Sequence, residues 1–338
     1  MTAFHPIDNP KRAVLGGGAW GTALASVMAR HKNAAVSLWA REAETVSAIN
    51  ERHVNEMFLP GITLPETIHA TDDLAELAAA DIILMVVPAQ FARAVLADLA
   101  PLMKPDASLV LCAKGIEQQS LKLMSDVAAA FIAPAQIAVL SGPSFAADVA
   151  RGLPTAVTLA CSDEARGMYL AQEIGAAAFR PYYTDDVVGA EIGGALKNVL
   201  AIACGIVAGK ELGESARAAV TARGFAEMGR LGAALGARPE TLGGLSGLGD
   251  LILTCSSDTS RNFSLGRALG EGKSVDAVLG ARSSVSEGAM SAAAVARLAE
   301  AHKLDMPICL AIDAVISGRQ DIDTAIGELL ARPFTAEN

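Results

Sequence analysis

The segment with the clearest chemical potential is Gly193-Gly194-Ala195-Leu196-Lys197-Asn198-Val199, where a lysine follows two adjacent glycines inside a helical pattern. A glycine inside a helix lowers its stability by roughly 1 kcal/mol relative to alanine, so two adjacent glycines indicate a structural or functional requirement. The glycines precede Lys197 by three and four positions and share its helix face, where a planar ligand could lie close to the ammonium group. A lysine removed from water has a lowered pKa and can act as an acid or a base. A surface lysine beside a glycine-marked helix start is an equally good interpretation.

A carboxylate and an anion-binding triplet follow later in the chain. Asp250 ends a glycine-rich turn, Gly247-Leu248-Gly249, and either caps a helix or faces Lys197. Ser260-Arg261-Asn262 brings a hydroxyl, a guanidinium and an amide to a helix start, which suits a phosphate. Lys114 ends a predicted strand and adds a cation at the carboxyl edge of the sheet, where open α/β folds bind ligands. In a chain of net charge −10, an anion site has to be built locally from such groups.

A second kind of site is indicated near the start of the chain. Gly16-Gly17-Gly18-Ala19-Trp20-Gly21 matches G-x-G-x-x-G, directly after a predicted strand and at the opening of a helix. In a dinucleotide site, Gly16 permits the tight turn, Gly18 lets the pyrophosphate approach the backbone, and Gly21 lets helix and strand pack closely. The alternative interpretation is a purely structural strand-to-helix turn.

The end of the next predicted strand bears on which dinucleotide binds. Val36-Ser37-Leu38-Trp39-Ala40 runs into Arg41, and Glu42 follows. An NAD site usually has an acidic residue here for the ribose 2′-hydroxyl, whereas an arginine suits the 2′-phosphate of NADP. The pattern favours NADP, with NAD possible through Glu42. An ordinary solvated arginine is as good an interpretation of Arg41.

Composition excludes several other classes of protein. The net charge of −10 and an aromatic content of 4% argue against a nucleic-acid partner. No apolar run approaches the ~20 residues that span a bilayer, and residues 1–18 contain no secretory signal, so we expect a cytoplasmic protein. Five widely spaced cysteines and five histidines without ligand spacing predict reduced, mostly buried thiols and no metal site.

The elements that position these groups divide the chain in two. Strand-like runs alternate with helical segments through the first half, at residues 13–15, 36–40, 82–87, 109–112, 137–140, 156–159 and 179–183. This alternation predicts a doubly wound, mostly parallel α/β Rossmann sheet. Alanine-rich helical patterns then take over, at residues 187–208, 215–235, 286–301 and 306–317. We therefore expect a dinucleotide-binding domain over residues 1–190 and an all-α substrate and catalytic domain over residues 191–338.

The motifs together identify a family. They are Gly-Gly-Gly-Ala-Trp-Gly-Thr-Ala-Leu-Ala (16–25), Ala-Lys-Gly-Ile-Glu (113–117), Ser-Gly-Pro-Ser-Phe-Ala (141–146), Gly-Leu-Pro-Thr-Ala (152–156), Gly-Gly-Ala-Leu-Lys-Asn-Val (193–199), Gly-Leu-Gly-Asp-Leu (247–251) and Ser-Arg-Asn (260–262). In this order, and over nearly the whole chain, they resemble bacterial NAD(P)-dependent glycerol-3-phosphate dehydrogenase. The resemblance implies a homodimer that reduces dihydroxyacetone phosphate reversibly to sn-glycerol 3-phosphate for glycerophospholipid synthesis.

The resemblance also implies roles for individual residues. Lys197 becomes the acid/base residue, with Asp250 as its catalytic partner. The implied substrate contacts are Lys114, Gly142, Ser144, Lys197, Asp250, Ser260, Arg261 and Asn262. The implied cofactor contacts are Gly16, Gly18, Ala19, Trp20, Gly21, Arg41, Lys114, Ala146, Arg261, Val285 and Glu287.

Two positions depart from the family pattern. Ala19 stands where the family often has a serine that bonds the pyrophosphate, and Ser286 stands at a commonly apolar position between Val285 and Glu287. The first removes one contact, and the second weakens the transfer of roles to its two neighbours.

Two rival functions are open at this point. A β-hydroxyacid dehydrogenase has a similarly placed lysine but needs an anchor for a carboxylate in place of a phosphate. A non-catalytic dinucleotide-binding protein would need neither Lys197 nor Asp250.

Overall fold

In the computed structural model, which describes residues 4–280, 286–334 and 336, the first half of the chain forms an eight-stranded sheet and a separate two-stranded hairpin. The strands are β1 (Arg12–Leu15), β2 (Val36–Trp39), β3 (Val54–Asn55), β4 (Leu59–Thr63), β5 (Ile68–Thr71), β6 (Ile82–Met85), β7 (Ser108–Leu111), β8 (Ile137–Ser141), β9 (Thr155–Cys161) and β10 (Phe179–Thr184).

Helices follow most strands and make up most of the second half. They are α1 (Ala19–Arg30), α2 (Ala43–Arg52), α3 (Leu74–Ala78), α4 (Ala92–Leu99), α5 (Met124–Ala128), α6 (Ala146–Ala150), α7 (Glu164–Ile174), α8 (Val187–Gly209), α9 (Glu214–Leu235), α10 (Pro239–Leu242), α11 (Asp250–Cys255), α12 (Arg261–Gly270), α13 (Val275–Gly280), α14 (Glu287–Ala301), α15 (Pro307–Ile316) and α16 (Ile322–Leu330). Short 3-10 segments lie at His31–Asn33, Ala89–Phe91, Ala100–Leu102 and Pro134–Gln136, and a π-helical turn at Leu245–Gly249 leads into α11.

The strand order is β10-β9-β8-β7-β6-β1-β2-β5. Neighbouring strands run parallel, except for the β8–β9 pair. The order β5-β2-β1-β6-β7-β8 is that of a doubly wound dinucleotide-binding sheet, whose winding reverses between β1 and β6. The predicted Rossmann fold is confirmed, and its ligand crevice lies at the carboxyl ends of these two strands.

The sequence prediction missed one strand of this sheet and the separate hairpin. β5 includes His69 and lies at an edge, so it lacks the continuous apolar run of a strand buried on both faces. The β3–β4 hairpin contains Pro60 and Gly61, which are typical of turns rather than of strand interiors.

Two apolar clusters cover the faces of the sheet, and a third fills the helical half. Val14 and Leu24 belong to one face, and Leu15 and Leu96 to the other, because successive strand residues point to opposite sides. The third cluster surrounds α8 and also contains Ile116 and Leu123, which come from the loop after β7. That loop therefore packs its side chains into the core of the helical half.

Helix α8 is the central element of the helical half, and it is buried from Gly189 to Val207. In the described part of the chain it is the one helix long and apolar enough to cross a bilayer, yet 83% of its most apolar window is buried inside the fold. An all-round apolar helix is typical of a core, so burial explains its composition. Asp186 caps α8 by accepting a hydrogen bond from Gly189 N at 2.8 Å.

Helices α8 and α12 touch backbone to backbone. A Cβ atom on Gly205 would lie 2.0 Å from Phe263 O, and one on Gly266 would lie 2.0 Å from Ile202 O. Gly209 and Gly270 are in the same position, at 2.2 Å and 2.6 Å from carbonyl oxygens of the opposite helix. We call these four glycines the α8–α12 seam; any side chain at one of them would push the helices apart.

The predicted helices over 187–208, 215–235, 286–301 and 306–317 correspond to α8, α9, α14 and α15, with ends that differ by at most one residue. The last strand ends at Thr184 and α8 begins at Val187. The domain boundary near residue 190 stays a prediction.

Candidate active site

Lys114 lies at the carboxyl edge of the sheet, three residues after β7. Its Nζ atom donates to Gly142 O at 2.9 Å and to Asp250 Oδ2 at 2.6 Å. Gly142 follows β8, and Asp250 opens α11. The first of these bonds joins two strand ends, and the second joins the sheet to the helical half.

Asp250 also binds Lys197, near the middle of α8. Lys197 Nζ donates to Asp250 Oδ1 at 3.0 Å and to Thr254 Oγ1 at 3.0 Å. Thr254 Oγ1 in turn donates to Asp250 Oδ1 at 3.2 Å. One carboxylate therefore holds two ammonium groups. The N-cap residue of α11 is Gly249, with no side-chain cap hydrogen bond, so the interpretation of Asp250 as a helix cap is wrong.

Lys197 and Asp250 are buried, and their surroundings change their pKa values. Burial lowers the pKa of Lys197, and Lys114 lowers it further, while Asp250 opposes them without reversing the shift. Burial alone would raise the pKa of Asp250, but the two ammonium groups outweigh it and the net direction is down. Asp250 is therefore ionised at neutral pH, and Lys197 gives up its proton more readily than an ordinary lysine.

The glycines before Lys197 serve a different purpose from the one predicted. A Cβ atom on Gly193 would lie 2.4 Å from Ser246 O, and one on Gly194 would lie 2.8 Å from Ser141 Oγ and 3.2 Å from Lys114 Cγ. The space beside them is filled by the chain itself, so the prediction that they make room for a planar ligand is wrong. They let α8 approach the sheet edge closely enough for Lys197 to reach Asp250.

The Ser260-Arg261-Asn262 triplet opens α12, as predicted. Ser260 caps the helix by accepting from Phe263 N at 3.2 Å. Asn262 donates to Asn198 Oδ1 at 2.9 Å, and its own Oδ1 accepts from Ser286 Oγ at 3.1 Å and from Gly288 N at 3.2 Å. Asn262 thus ties the start of α12 to α8 and to the start of α14.

Arg261 is exposed, and Glu287 faces the same cluster of cations. Ala89, whose backbone lies near the Glu287 carboxylate, is in the 3-10 segment after β6. Burial raises the pKa of Glu287, against the opposing effect of Arg261 and the two lysines. The predicted cofactor contact Val285 lies outside the described residues.

The glycine-rich loop has the geometry of a dinucleotide site. Gly16 has φ = +130°, and a Cβ atom there would lie 3.0 Å from Val86 O. A Cβ atom on Gly21 would lie 1.8 Å from Gly16 O, whereas one on Gly18 would meet no atom within 4 Å. Gly16 and Gly21 are required by the fold, whereas Gly18 leaves an open space at the N-terminus of α1, where a pyrophosphate would bind.

Other predicted contacts lie around the same crevice. Trp20 has a buried Nε1 donor without a hydrogen-bond partner in the described part of the chain. Ala19 and Ala146 are the first residues of α1 and α6. Gly142 has φ = +148°, and its carbonyl also accepts from Ser144 Oγ at 2.9 Å. An unused buried donor and an open helix terminus both fit a bound dinucleotide.

Arg41 and Glu42 lie at the outer end of this crevice, just beyond β2. The Arg41 side chain is 82% exposed and pairs with Glu42 at 3.0 Å. An exposed ion pair of this kind contributes little to stability, so Arg41 is available to a ligand at low cost.

Thr254 and Asn198 belong to the site, but the sequence prediction did not include them. Thr254 lies four residues after Asp250, which is the spacing of neighbours on one helix face. Asn198 adjoins Lys197, and its Nδ2 donates to Lys114 O at 3.2 Å. Both signals are too common in helices to single out a residue without the structure.

Nothing in the described residues groups three or more metal-ligating side chains. All five cysteines are buried and free.

Comparison with known proteins identifies the relatives of this chain. Residues 11–167 match the family model for the N-terminus of NAD-dependent glycerol-3-phosphate dehydrogenase, and residues 186–327 match the model for its C-terminus. Glycerol-3-phosphate dehydrogenase [NAD(P)+] of Parvibaculum lavamentivorans is 59% identical over 97% of this chain and 98% of the relative, and that of Caulobacter vibrioides is 58% identical over the same shares. The solved structure of glycerol-3-phosphate dehydrogenase from Coxiella burnetii superposes with a TM-score of 0.91 at 39% identity, covering 96% of this chain and 99% of that one.

Proposed function

The chain belongs to the NAD-dependent glycerol-3-phosphate dehydrogenase family, and we propose that Lys197 is the acid that protonates the reduced ketone. The protein is an oxidoreductase that uses NAD(P)H to reduce dihydroxyacetone phosphate reversibly to sn-glycerol 3-phosphate. The observation that supports the role of Lys197 is the buried carboxylate of Asp250, shared between Lys197 and Lys114.

The proposed acid step follows from the hydrogen bonds of Lys197. An ammonium group has three N–H bonds, and Asp250 and Thr254 accept two of them. The third is left for the substrate oxygen. As hydride adds to the carbonyl carbon, the electron pair of the C=O bond moves to oxygen, and Lys197 stabilises that charge and transfers its proton. Lys197 then takes a proton from solvent, and the oxidation reaction runs through the same steps in reverse.

Asp250 has two tasks in this scheme. It orients Lys197 through Oδ1 and Lys114 through Oδ2. Its charge also keeps the pKa of Lys197 from falling further, so that the lysine is still protonated before the transfer.

The phosphate is proposed to bind at the start of α12. Ser260, Arg261 and Asn262 are located there, together with the positive end of the helix dipole. Lys114, Lys197 and Arg261 outnumber the carboxylates Asp250 and Glu287 by one charge, and this excess suits an anionic substrate.

The dinucleotide is proposed to bind along the glycine-rich loop, with Gly16, Gly18, Ala19, Trp20 and Gly21 at the pyrophosphate and Arg41 at the ribose. The other proposed cofactor contacts are Lys114, Ala146, Arg261, Val285 and Glu287. The reduced cofactor, when bound, supplies the hydride. NADP is favoured over NAD because Arg41 adjoins β2, where a 2′-phosphate would lie.

An absorbance assay at the reduced-nicotinamide band tests this function. We expect turnover with dihydroxyacetone phosphate, faster with NADPH than with NADH, and none with unphosphorylated dihydroxyacetone. Activity on a small β-keto acid alone would instead indicate a β-hydroxyacid dehydrogenase. Cofactor binding without turnover of any of the three would indicate a non-catalytic protein.

Three further proposals rest on the family resemblance. They are a homodimer, a cytoplasmic location and a supply of sn-glycerol 3-phosphate to glycerophospholipid synthesis. Sedimentation at micromolar concentration tests the first, cell fractionation the second, and isotope tracing from glycerol-labelled precursors the third.

A further inference from the structure

The loop that carries Lys114, residues 113–123, is held from several sides; we call it the Lys114 loop. Ile116 is fully buried in the core of the helical half and forms a β-bridge with Leu123. Lys114 O accepts from Asn198 Nδ2 at 3.2 Å. A Cβ atom on Gly115 would lie 2.9 Å from Ala89 Cβ, so the chain passes close to the turn after β6.

Gln90 binds the backbone of the loop on both sides of Glu117. Gln90 Nε2 donates to Ile116 O at 2.8 Å, and Gln90 Oε1 accepts from Gln118 N at 3.0 Å. Arg297, on α14, donates to Gln118 O at 2.7 Å. The segment between Lys114 and Gln118 is thus tied to the start of α4, to α8 and to α14.

One ion pair of this loop has no part in the reaction as described so far. Arg93 Nε and Nη2 donate to the two carboxylate oxygens of Glu117 at 2.8 Å and 2.7 Å, which is a bidentate fork. Glu117 is 7% exposed, whereas Arg93 is 38% exposed. Ser120 Oγ also donates to the Glu117 carboxylate. Arg93, foremost among these groups, lowers the pKa of Glu117, so the buried carboxylate stays charged.

We propose that the Arg93–Glu117 fork is a positioning device for catalysis, which holds the Lys114 loop so that Lys114 reaches Gly142 and Asp250 together. This inference rests on the proposed role of the Lys114–Asp250–Lys197 group. Glu117 is three residues from Lys114, and Lys114 holds the second oxygen of the carboxylate that orients Lys197. A shift of the Lys114 loop therefore changes the position of Lys197, because both lysines bind the carboxylate of Asp250.

The burial of Glu117 explains why the fork controls the loop. Removing Arg93 leaves a buried carboxylate without its main counter-charge, and an unpaired buried charge is strongly unfavourable. The carboxylate gains most by turning outward to water. That movement displaces the backbone of the Lys114 loop and draws Lys114 away from Asp250.

A double-mutant cycle tests the proposal. We expect Arg93→Ala to lower kcat/KM for dihydroxyacetone phosphate about tenfold in the wild-type background and by less than about twofold in a Lys114→Ala background. Arg93→Lys keeps the charge but cannot form the fork, so its effect falls between wild type and Arg93→Ala. An equal loss in both backgrounds would overturn the proposal.

Lys104→Ala is the matched control. It opens the Lys104–Asp81 ion pair, which has a similar 41% and 13% exposure but lies at the opposite edge of the sheet, before β6 and β7. We expect activity within about twofold of wild type. If this variant loses as much activity as Arg93→Ala, loss of any partly buried ion pair explains the result and the proposal fails.

The pH profile is a readout that a merely structural role leaves unchanged, and it needs no activity from Lys114→Ala. Lys114 lowers the pKa of Lys197, with Asp250 and Glu287 as the other charged groups around that lysine. As Lys114 moves away, the alkaline limb of kcat/KM shifts to higher pH in Arg93→Ala and stays in place in Lys104→Ala. If the alkaline limb of kcat/KM stays in place in Arg93→Ala, the Arg93–Glu117 fork does not position Lys114.

The proposed function fails by a different result. If Lys197→Ala keeps wild-type turnover, the site assignment is wrong, whatever Arg93 does. If Lys197→Ala is inactive while Arg93→Ala matches Lys104→Ala, only the positioning inference is wrong.

Discussion

Glycines stand at the centre of both functional regions, but they do opposite work in the two. In the loop after β1, a side chain on Gly18 would enter an open space at the N-terminus of α1. In the α8–α12 seam, a side chain on Gly205 or Gly266 would collide with the backbone of the facing helix at 2.0 Å. One region leaves room for a ligand, and the other uses the same residue type to bring two helices together.

The difference explains how the site is held. The glycine-rich loop is positioned by β1 and by its close packing at Gly16 and Gly21, which leaves Gly18 free to face a ligand. The described residues of the helical half form no strand, and close backbone packing fixes α8, and with it Lys197, against α12. A substitution of Gly18 should therefore impair binding, and a substitution of Gly205 or Gly266 should impair folding.

The largest effect is expected at Lys197, the group that the helical packing positions. Lys197→Ala should lower kcat by about 10²- to 10⁴-fold, the usual contribution of a positioned acid, because no other donor replaces its proton. NADPH affinity, measured by fluorescence titration, should change less than about threefold, since the proposed pyrophosphate contacts are in the other region. Lys210→Ala, at the end of the same helix, is the control, and near-normal turnover of Lys197→Ala would refute its role.

Paired glycine substitutions test the comparison directly. Gly205→Ala should destabilise the protein by about 2 to 3 kcal/mol, because the added methyl group overpacks the seam. Gly18→Ala should change stability by less than about 1 kcal/mol, since Gly18 has φ = −70° at a helix N-cap, but should weaken NADPH binding. Denaturant titration measures the free energy of unfolding of both variants, and fluorescence titration measures their NADPH affinity. If both variants lose stability and affinity to the same extent, the two regions do not use glycine differently.

The dinucleotide region can be examined further at Arg41. Arg41→Ala should raise KM for NADPH about tenfold, because a charge-assisted hydrogen bond to a phosphate is lost, and should leave KM for NADH within about twofold. Steady-state kinetics with both cofactors measures this, with the exposed Arg52→Ala as control. Equal effects on the two cofactors would show that Arg41 does not bind the 2′-phosphate.

The smallest expected effect concerns the pH at which the alkaline limb of kcat/KM is centred. Ketone reduction needs protonated Lys197, so activity is lost as pH rises through the pKa of that lysine. Burial lowers this pKa below the ordinary 10.5, and the alkaline limb of kcat/KM should be centred below that pH. Circular dichroism over the same range checks that the protein stays folded. A limb at or above 10.5 would mean that Lys197 titrates like a lysine in water.

The fold was largely predictable because its central strands are short, buried runs of mostly apolar residues. The run of β6 is apolar throughout, β7 and β8 contain one serine each at an end, and all residues of the three strands are buried. β5 and the β3–β4 hairpin were missed, since edge strands with histidine, proline and glycine carry no such run. Strand direction at β9 is set by its pairing with β8, which no local pattern encodes.

The pairing of Asp250 with Lys197 was one of two interpretations of the sequence. That Lys114 binds the second oxygen of the same carboxylate was not predicted, because the three residues are far apart in the chain. The glycines before Lys197 were misread because a missing side chain signals close approach without saying what approaches. Glu117 ends the motif Ala-Lys-Gly-Ile-Glu (113–117), but the sequence analysis assigned it no role, because its partner Arg93 is 24 residues earlier in the chain.

The Lys114 loop also has a consequence for how the protein is made. Ile116 and Leu123 leave the ribosome with the first half, but the core that receives them also needs buried residues of α15, such as Ile308 and Ile312. At synthesis rates of about 5 to 20 residues per second, these apolar side chains wait roughly ten to forty seconds for their partners. The nascent chain therefore exposes apolar side chains during translation, and a ribosome stalled before α15 would release a chain with the Lys114 loop uncovered.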